Sequence, residues 1–78
     1  MKIKIRTKFQ GATNSSGSKV IATGMGKQKG MPYRHELSVR DNHETSAREF
    51  CEKHGLPVDT FAFEAYLEKG YCFSISVG

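Results

Sequence analysis

The first 34 residues contain no Asp or Glu. They hold eight Lys or Arg, whereas residues 35–78 hold four Lys or Arg and all eight acids. The formal charge is therefore +8 on the first part and −4 on the second, which sums to the chain's +4. Such segregation points to an interaction surface rather than to an active site. Cysteine is scarce. Cys51 and Cys72 lie 21 residues apart, form no CxxC pair and make too thin a disulfide framework, so both are expected as reduced core thiols. No apolar run is long enough to cross a membrane, and none opens the chain, so neither a membrane span nor a secretory signal peptide is expected. Cytoplasmic residence follows as the default. With 78 residues, 37% apolar and 26% charged, the chain (1–78) fits one globular domain with one small core.

What is present begins with MKIKIRTKF. Lys2, Lys4, Arg6 and Lys8 alternate with Ile3, Ile5, Thr7 and Phe9. In a strand, alternate side chains face opposite sides, so one face is apolar and the other is a row of cations about 7 Å apart. Residues 2–10 are thus predicted as a strand. Residues 11–18, GATNSSGS, read as a loop, and residues 19–24 as a second strand. Glycines at 24, 26 and 30 suggest a turn into a third strand over roughly Gly30 to His35, placed at an edge because Pro32 cannot donate to a ladder. Ser38 followed by Asp41 has capping-box spacing. Val39, His43, Ala47, Phe50, Cys51 and His54 recur on one helical face, and Gly55-Leu56-Pro57 stops the helix, predicted over about Val39 to His54. In the tail, Phe61, Phe63, Ala65 and Leu67 alternate with Ala62, Glu64, Tyr66 and Glu68 as in a strand, while a short helix capped by Asp59 or Thr60 competes over 58–68. After Glu68-Lys69-Gly70, Tyr71, Phe73, Ile75 and Val77 line one face of a last strand. The preferred reading is a hairpin.

The predicted fold class is α+β: an antiparallel β-sheet of about five short strands, in the order β-β-β-α-β-β, with one α-helix packed on one face. Ile3, Ile5 and Phe9 are expected to pack under Val39, Ala47, Phe50 and Cys51. The cations of the first strand then stand on the opposite, open face, which antiparallel sheets tolerate. An unpaired edge at the third strand allows sheet extension, so monomer and homodimer both fit.

The order of several short motifs resembles that of a family of small phage and prophage proteins. The stretches are Thr13-Asn14-Ser15-Ser16-Gly17-Ser18-Lys19, Pro32-Tyr33, Glu36-Leu37-Ser38, His54-Gly55-Leu56 and Gly70-Tyr71-Cys72-Phe73, with His43 and Cys51 where the pattern often has His and Cys. The resemblance covers nearly the whole chain. It implies a mobile-element origin and expression in a bacterial cytoplasm, and it implies no activity.

Each candidate site has a competing structural role. The basic row suits a phosphate backbone, but single-strand binders interleave aromatics with cations, and none stands in this row. Its other role is a solubilised open face. The loop Gly11 to Lys19 offers an anion nest without the order of a phosphate loop. Cys51, His54 and His43 share a helix face but lack a fourth ligand for zinc, and a Cys–His nucleophilic pair would sit on the packed face. Glu44, Glu49, Glu52, Glu64 and Glu68 offer a phosphate-like acidic surface, although Glu44–Arg48 and Glu49–Lys53 are i,i+4 pairs. The expected protein is therefore not an enzyme and needs no cofactor or metal. It is a phage-type accessory protein that binds and inhibits a host protein, such as a nucleic-acid-handling defence complex of the CRISPR or restriction kind. The alternative is a module that binds nucleic acid directly. The candidate contacts are Lys2, Lys4, Arg6 and Lys8 on the sheet face, Lys19, Lys27 and Lys29 as loop cations, and Arg34.

Overall fold

A computed structural model describes residues 1–12 and 17–77. Five strands and one helix follow in the predicted order: β1 (Lys2–Gln10), β2 (Lys19–Gly24), β3 (Lys27–Pro32), α1 (Val39–Lys53), β4 (Ala62–Leu67) and β5 (Gly70–Ser76). All strand pairs are antiparallel, and the sheet order is β3-β2-β1-β5-β4. The most alternating strand, β1, is central. Its Ile3, Ile5 and Thr7 are buried, whereas Lys2, Lys4, Arg6 and Lys8 are exposed.

Helix α1 is bounded as its sequence dictates. Ser38 Oγ accepts the Asp41 N–H at 3.1 Å. At the other end His54 is the C-cap, Gly55 adopts φ +68°, and Leu56 N–H reaches back to Cys51 O at 2.8 Å, with Gly55 N–H on Glu52 O at 3.3 Å. That bond pair is a Schellman stop, and a left-handed residue is least costly as glycine. The buried stripe consists of Asn42, His43, Ser46, Ala47, Phe50 and Cys51. Ala47, Phe50 and Cys51 pack with Ile3, Ile5, Ala22, Phe73 and Ile75 as the core.

Two expected core members lie outside it. Val39 is 56% exposed and Phe9 41% exposed. Both sit where the helix starts, at the end of the sheet, and line a concavity with Ser18, Tyr33 and His35 instead of the core. The stripe is turned toward Asn42, whose side chain accepts the Arg34 N–H at 2.8 Å and donates to the carbonyls of Arg34, Leu37 and Ser38 at 2.8, 3.3 and 3.0 Å. A buried amide with four partners is fully satisfied and pins the 34–38 turn.

The third strand starts three residues earlier than expected and ends at Pro32. Gly24 pairs with Lys27 across the two-residue turn Met25-Gly26, so β3 begins at once. Pro32 is its last residue, on a free edge, where a missing N–H costs nothing. The turn has φ +51° at Met25 and +71° at Gly26, the pattern of a type I′ hairpin. An exposed methionine is a poor residue for left-handed backbone. Met25→Asn is expected to stabilise the domain by about 1 kcal/mol, read as a rise in Tm of about 4–8 °C.

The tail is a hairpin, and its strand reading holds over the helical one. The alternation predicted for β4 is broken, however, by an irregularity between Phe63 and Ala65. Phe63 opposes Phe73 and Tyr66 opposes Tyr71, so both lie on the helix side, while Ala62 and Ala65 oppose Ser74 and Cys72 on the open side. Phe61, Phe63, Ala65 and Leu67 therefore do not form one face. The extra residue of a bulge reverses the facing of everything beyond it.

Candidate partner-binding surface

The open face is built around β1. The register sets Lys4 beside Ser74 and Arg6 beside Cys72 on one flank, and Arg6 beside Thr23 and Lys8 beside Ile21 on the other. Cys72 and Ser74 are 5% and 3% exposed, so these short side chains lie low between the longer ones. Lys2 Nζ is 2.9 Å from Glu64 Oε1. The hydrogen bond from Lys2 holds the Glu64 carboxyl below the usual range, assisted by the Lys2 charge, Ser74 and Lys4, against an opposing effect of burial. Lys4, Arg6 and Lys8 have no carboxylate within 4.0 Å among the described residues. At one end Arg6 and Lys8 border a concavity of about 370 Å³ that is also lined by Thr23, Leu67, Glu68 and Lys69.

The eight candidate cations do not form one surface. Lys2, Lys4, Arg6, Lys8 and Lys19 share the open face, Lys19 being opposite Gln10 in the register. Lys27 and Lys29, expected in a loop, are strand residues, and Lys19, named with them as a loop cation, opens β2 where the predicted second strand begins. Lys27 and Lys29 oppose Gly24 and Ala22, which face the helix, so they stand on the other side of the sheet. There Lys29 Nζ and Arg34 Nη2 lie 3.2 and 3.1 Å from the two oxygens of Glu49. Glu49 was expected to pair with Lys53 along the helix. It pairs instead with these two cations from β3 and the following loop. Glu44 does pair with Arg48, at 3.3 Å. With Glu64 taken by Lys2, three of the five acids proposed as a phosphate-like surface are internally neutralised.

The His and Cys candidates occupy packed positions. His43 is 2% exposed, and its Nδ1 lies 2.7 Å from Thr7 Oγ1. Thr7 Oγ1 also accepts the Tyr71 N–H at 3.2 Å, and the Tyr71 ring lies 4.8 Å from the imidazole. His43 was expected at the rim with a backbone partner. It is instead inside, bonded to a threonine of the central strand. Cys51 is fully buried, and burial pushes its thiol pKa up, with Arg48 lowering and Glu52 raising it. A thiol held in its neutral form is a poor nucleophile and a poor metal ligand. Both cysteines are free. The His54 ring packs 4.6 Å from Phe50, and its pKa is lowered by burial, Lys27 and Lys53. Among the described residues no group of three or more His, Cys, Asp or Glu is placed to hold a metal ion. The anion nest expected of the 11–19 loop centres on Thr13 to Ser16, outside the described residues.

His43 carries a pH dependence. Burial lowers its pKa from the ordinary 6.5, so the unfolded chain takes up a proton before the folded chain does. More protons on the unfolded state means stability rises with pH. The His43 contribution is complete above 6.5 and is lost as pH falls below that value through the lowered folded-state pKa. Urea midpoints at about pH 7.5 and about pH 5.5 are expected to differ, with the acid midpoint lower. His43→Gln is expected to shrink that difference without abolishing it, because His54 is shifted in the same direction.

Two features of the helix were not anticipated. Asn42 and Ser46 are polar residues in phase with Phe50 on the helix, and that phase was the available signal. Arg40 and Arg48 project from the helix over Phe63 and Phe61, at 5.0 and 4.4 Å from the ring centroids. No helix among the described residues is long and apolar enough to cross a membrane. No family model, curated protein or solved structure matches the chain.

Proposed function

We propose that this protein is a non-catalytic binding module, a phage-type accessory protein of the bacterial cytoplasm that engages and inhibits a host protein through its basic sheet face. The observation that carries this reading is the row Lys4, Arg6 and Lys8. It is exposed on the central strand, and no carboxylate of the described residues lies within 4.0 Å of it. Small neighbours at Ser74, Cys72 and Thr23 leave the row accessible to a broad surface. Opposed charge at that distance steers association and fixes orientation. An acidic patch on a nucleic-acid-handling defence protein fits this face.

Direct nucleic-acid binding is the second reading, favoured by the regular spacing of about 7 Å between successive cations of one strand. No strand residue of this face is aromatic, so it lacks a platform on which unpaired bases stack, and the reading is restricted to phosphate contacts. A tagged pull-down from bacterial lysate at about 150 mM salt, with and without nuclease, separates the two readings. A discrete protein partner that survives nuclease, and persists as salt rises from about 50 to about 200 mM, supports the inhibitor. Recovery of nucleic acid alone, lost steeply over the same range, would transfer the face to the second reading.

A further inference from the structure

The sheet has a second uncovered area, on its other side. Helix α1 lies over β2, β1, β3 and β5 and makes no close backbone approach to β4. The helix side of β4 is therefore left uncovered by α1. The bulge at Glu64 brings Phe63 and Tyr66 onto that side together, opposite Phe73 and Tyr71. Five rings form a continuous chain: Phe61–Phe73 at 5.0 Å, Phe73–Phe63 at 6.1 Å, Phe63–Tyr66 at 5.0 Å, Tyr66–Tyr71 at 5.5 Å and Tyr71–Phe73 at 6.2 Å. Phe73 belongs to the core, with Phe61, Phe63 and Tyr71 packed against it. Tyr66 does not, and it is 73% exposed.

Cations stand among these rings. Arg40, Glu44 and Arg48 follow at steps of four on one helical face. The Arg40 guanidinium lies over Phe63 and that of Arg48 over Phe61. Arg48 is engaged by Glu44, whereas Arg40 has no carboxylate within 4.0 Å among the described residues. Arg40 also sits in the first turn of α1, where a cation opposes the helix dipole. It is exposed, and folding gains little from its charge.

Rings interleaved with cations are what the open basic face lacks and what a single strand of nucleic acid requires. Bases stack on aromatic faces or guanidinium planes while cations take the phosphates. We infer that the helix side of the β4–β5 hairpin binds single-stranded nucleic acid, with Tyr66 as the stacking ring and Arg40 as the phosphate contact. An apolar peptide would satisfy the rings and leave the Arg40 charge uncompensated beside it, whereas a phosphate compensates it. This site goes beyond the partner surface proposed above and lies across the sheet from Lys4 and Arg6, so either fails without the other.

The chain has three tyrosines and no tryptophan, so its intrinsic emission is that of Tyr33, Tyr66 and Tyr71 together, and the part of any quenching that Tyr66→Phe removes is the share of Tyr66. Titration with an oligodeoxythymidylate of about ten nucleotides, at about 50 mM salt, is expected to quench this emission and raise the anisotropy of the labelled strand. Tyr66→Ala is expected to weaken binding about tenfold or more, and Tyr66→Phe to retain it. Arg40→Ala is expected to weaken it and to lower the salt slope by about one. Both side chains are exposed, so the variants fold, which a thermal melt verifies. Lys4→Glu with Arg6→Glu lowers the net charge from +4 to 0 and is expected to weaken binding, but to preserve the Tyr66-dependent quenching at saturating oligonucleotide. Absence of quenching with the wild-type chain would overturn the inference. So would binding that Tyr66→Ala and Arg40→Ala leave intact, or Tyr66-dependent capture of an apolar peptide but not of the oligonucleotide.

Discussion

Gly70→Ala is expected to cost about 4 kcal/mol or more, in the extreme tail of single substitutions. A Cβ at Gly70 would overlap the Thr7 carbonyl oxygen, and it would stand 2.7 Å from the Thr7 carbonyl carbon and 3.2 Å from Lys8 Cα. These are backbone atoms of the central strand, so no side-chain rotation relieves the overlap. The close approach has a cause. Regular pairing of β1 with β5 ends at Arg6 and Cys72. Beyond it the Thr7 hydroxyl takes the place of a ladder acceptor for the Tyr71 N–H, and Phe9 N–H crosses to Lys69 O at 3.1 Å. The β4–β5 turn is thereby drawn against β1 beside Arg6 and Lys8. A domain of this size holds only about 5 kcal/mol, so the variant is expected to be largely unfolded at 25 °C. Gly24→Ala meets Lys4 O at 3.1 Å and Phe50 at 3.4 Å, and Gly30→Ala meets only the Lys19 stem at 3.6 Å. Denaturant midpoints should therefore fall in the order Gly30→Ala, Gly24→Ala, Gly70→Ala. A Gly70→Ala midpoint close to wild type would mean that β1 and β5 are not packed this tightly.

Local periodicity made much of this fold legible. The strand β1 follows from strict alternation, and both ends of α1 from Ser38 and Gly55. The facing of Lys2, Lys4, Arg6 and Lys8 follows from the same alternation, because Ile3 and Ile5 must be buried. Features set by pairing were not legible. The turn at Met25-Gly26 lacks the Asn-Gly signal, so β3 was placed three residues late. Its cations Lys27 and Lys29 were therefore assigned to a loop, although the register with β2 puts them in the strand, on the helix side. The bulge in β4 adds a residue that no alternation pattern contains, and it alone brings Tyr66 beside Phe63. The predicted helix stripe did not include Asn42 and Ser46. The stripe admits them because the 34–38 turn and Val20 O supply their partners. Glu49 shows the same limit: its partners lie 15 and 20 residues away, beyond the reach of an i,i+4 rule.

Reversal of two charges, Lys4→Glu with Arg6→Glu, is expected to weaken binding of the protein partner proposed above several hundredfold. Lys2 is already paired with Glu64, and Lys8 stands at the end of the row, so Lys4 and Arg6 are the centre of the face without an ion pair. Residues at the centre of an interface carry most of its energy. Each reversal both removes an attraction and sets a carboxylate against an acidic patch, and like-charge juxtaposition costs several kcal/mol. A total of about 3–4 kcal/mol corresponds to about 10²–10³ in Kd. Folding should be nearly unaffected, because both side chains are exposed on a solvated face. The double reversal also takes the net charge from +4 to 0, and that change alone would slow association with any acidic partner. Lys27→Glu with Lys53→Glu makes the same change in net charge from the helix side of the sheet and serves as the control. Binding measured for both pairs by titration calorimetry at about 150 mM salt, where exposed charges are screened over about 8 Å, distinguishes local from global effects. A large loss for the Lys4 and Arg6 pair, with little loss for the control, assigns the partner to the open face. Equal losses would reduce the contribution of the row to its net charge, and no loss from either would remove the basic face from the interface altogether.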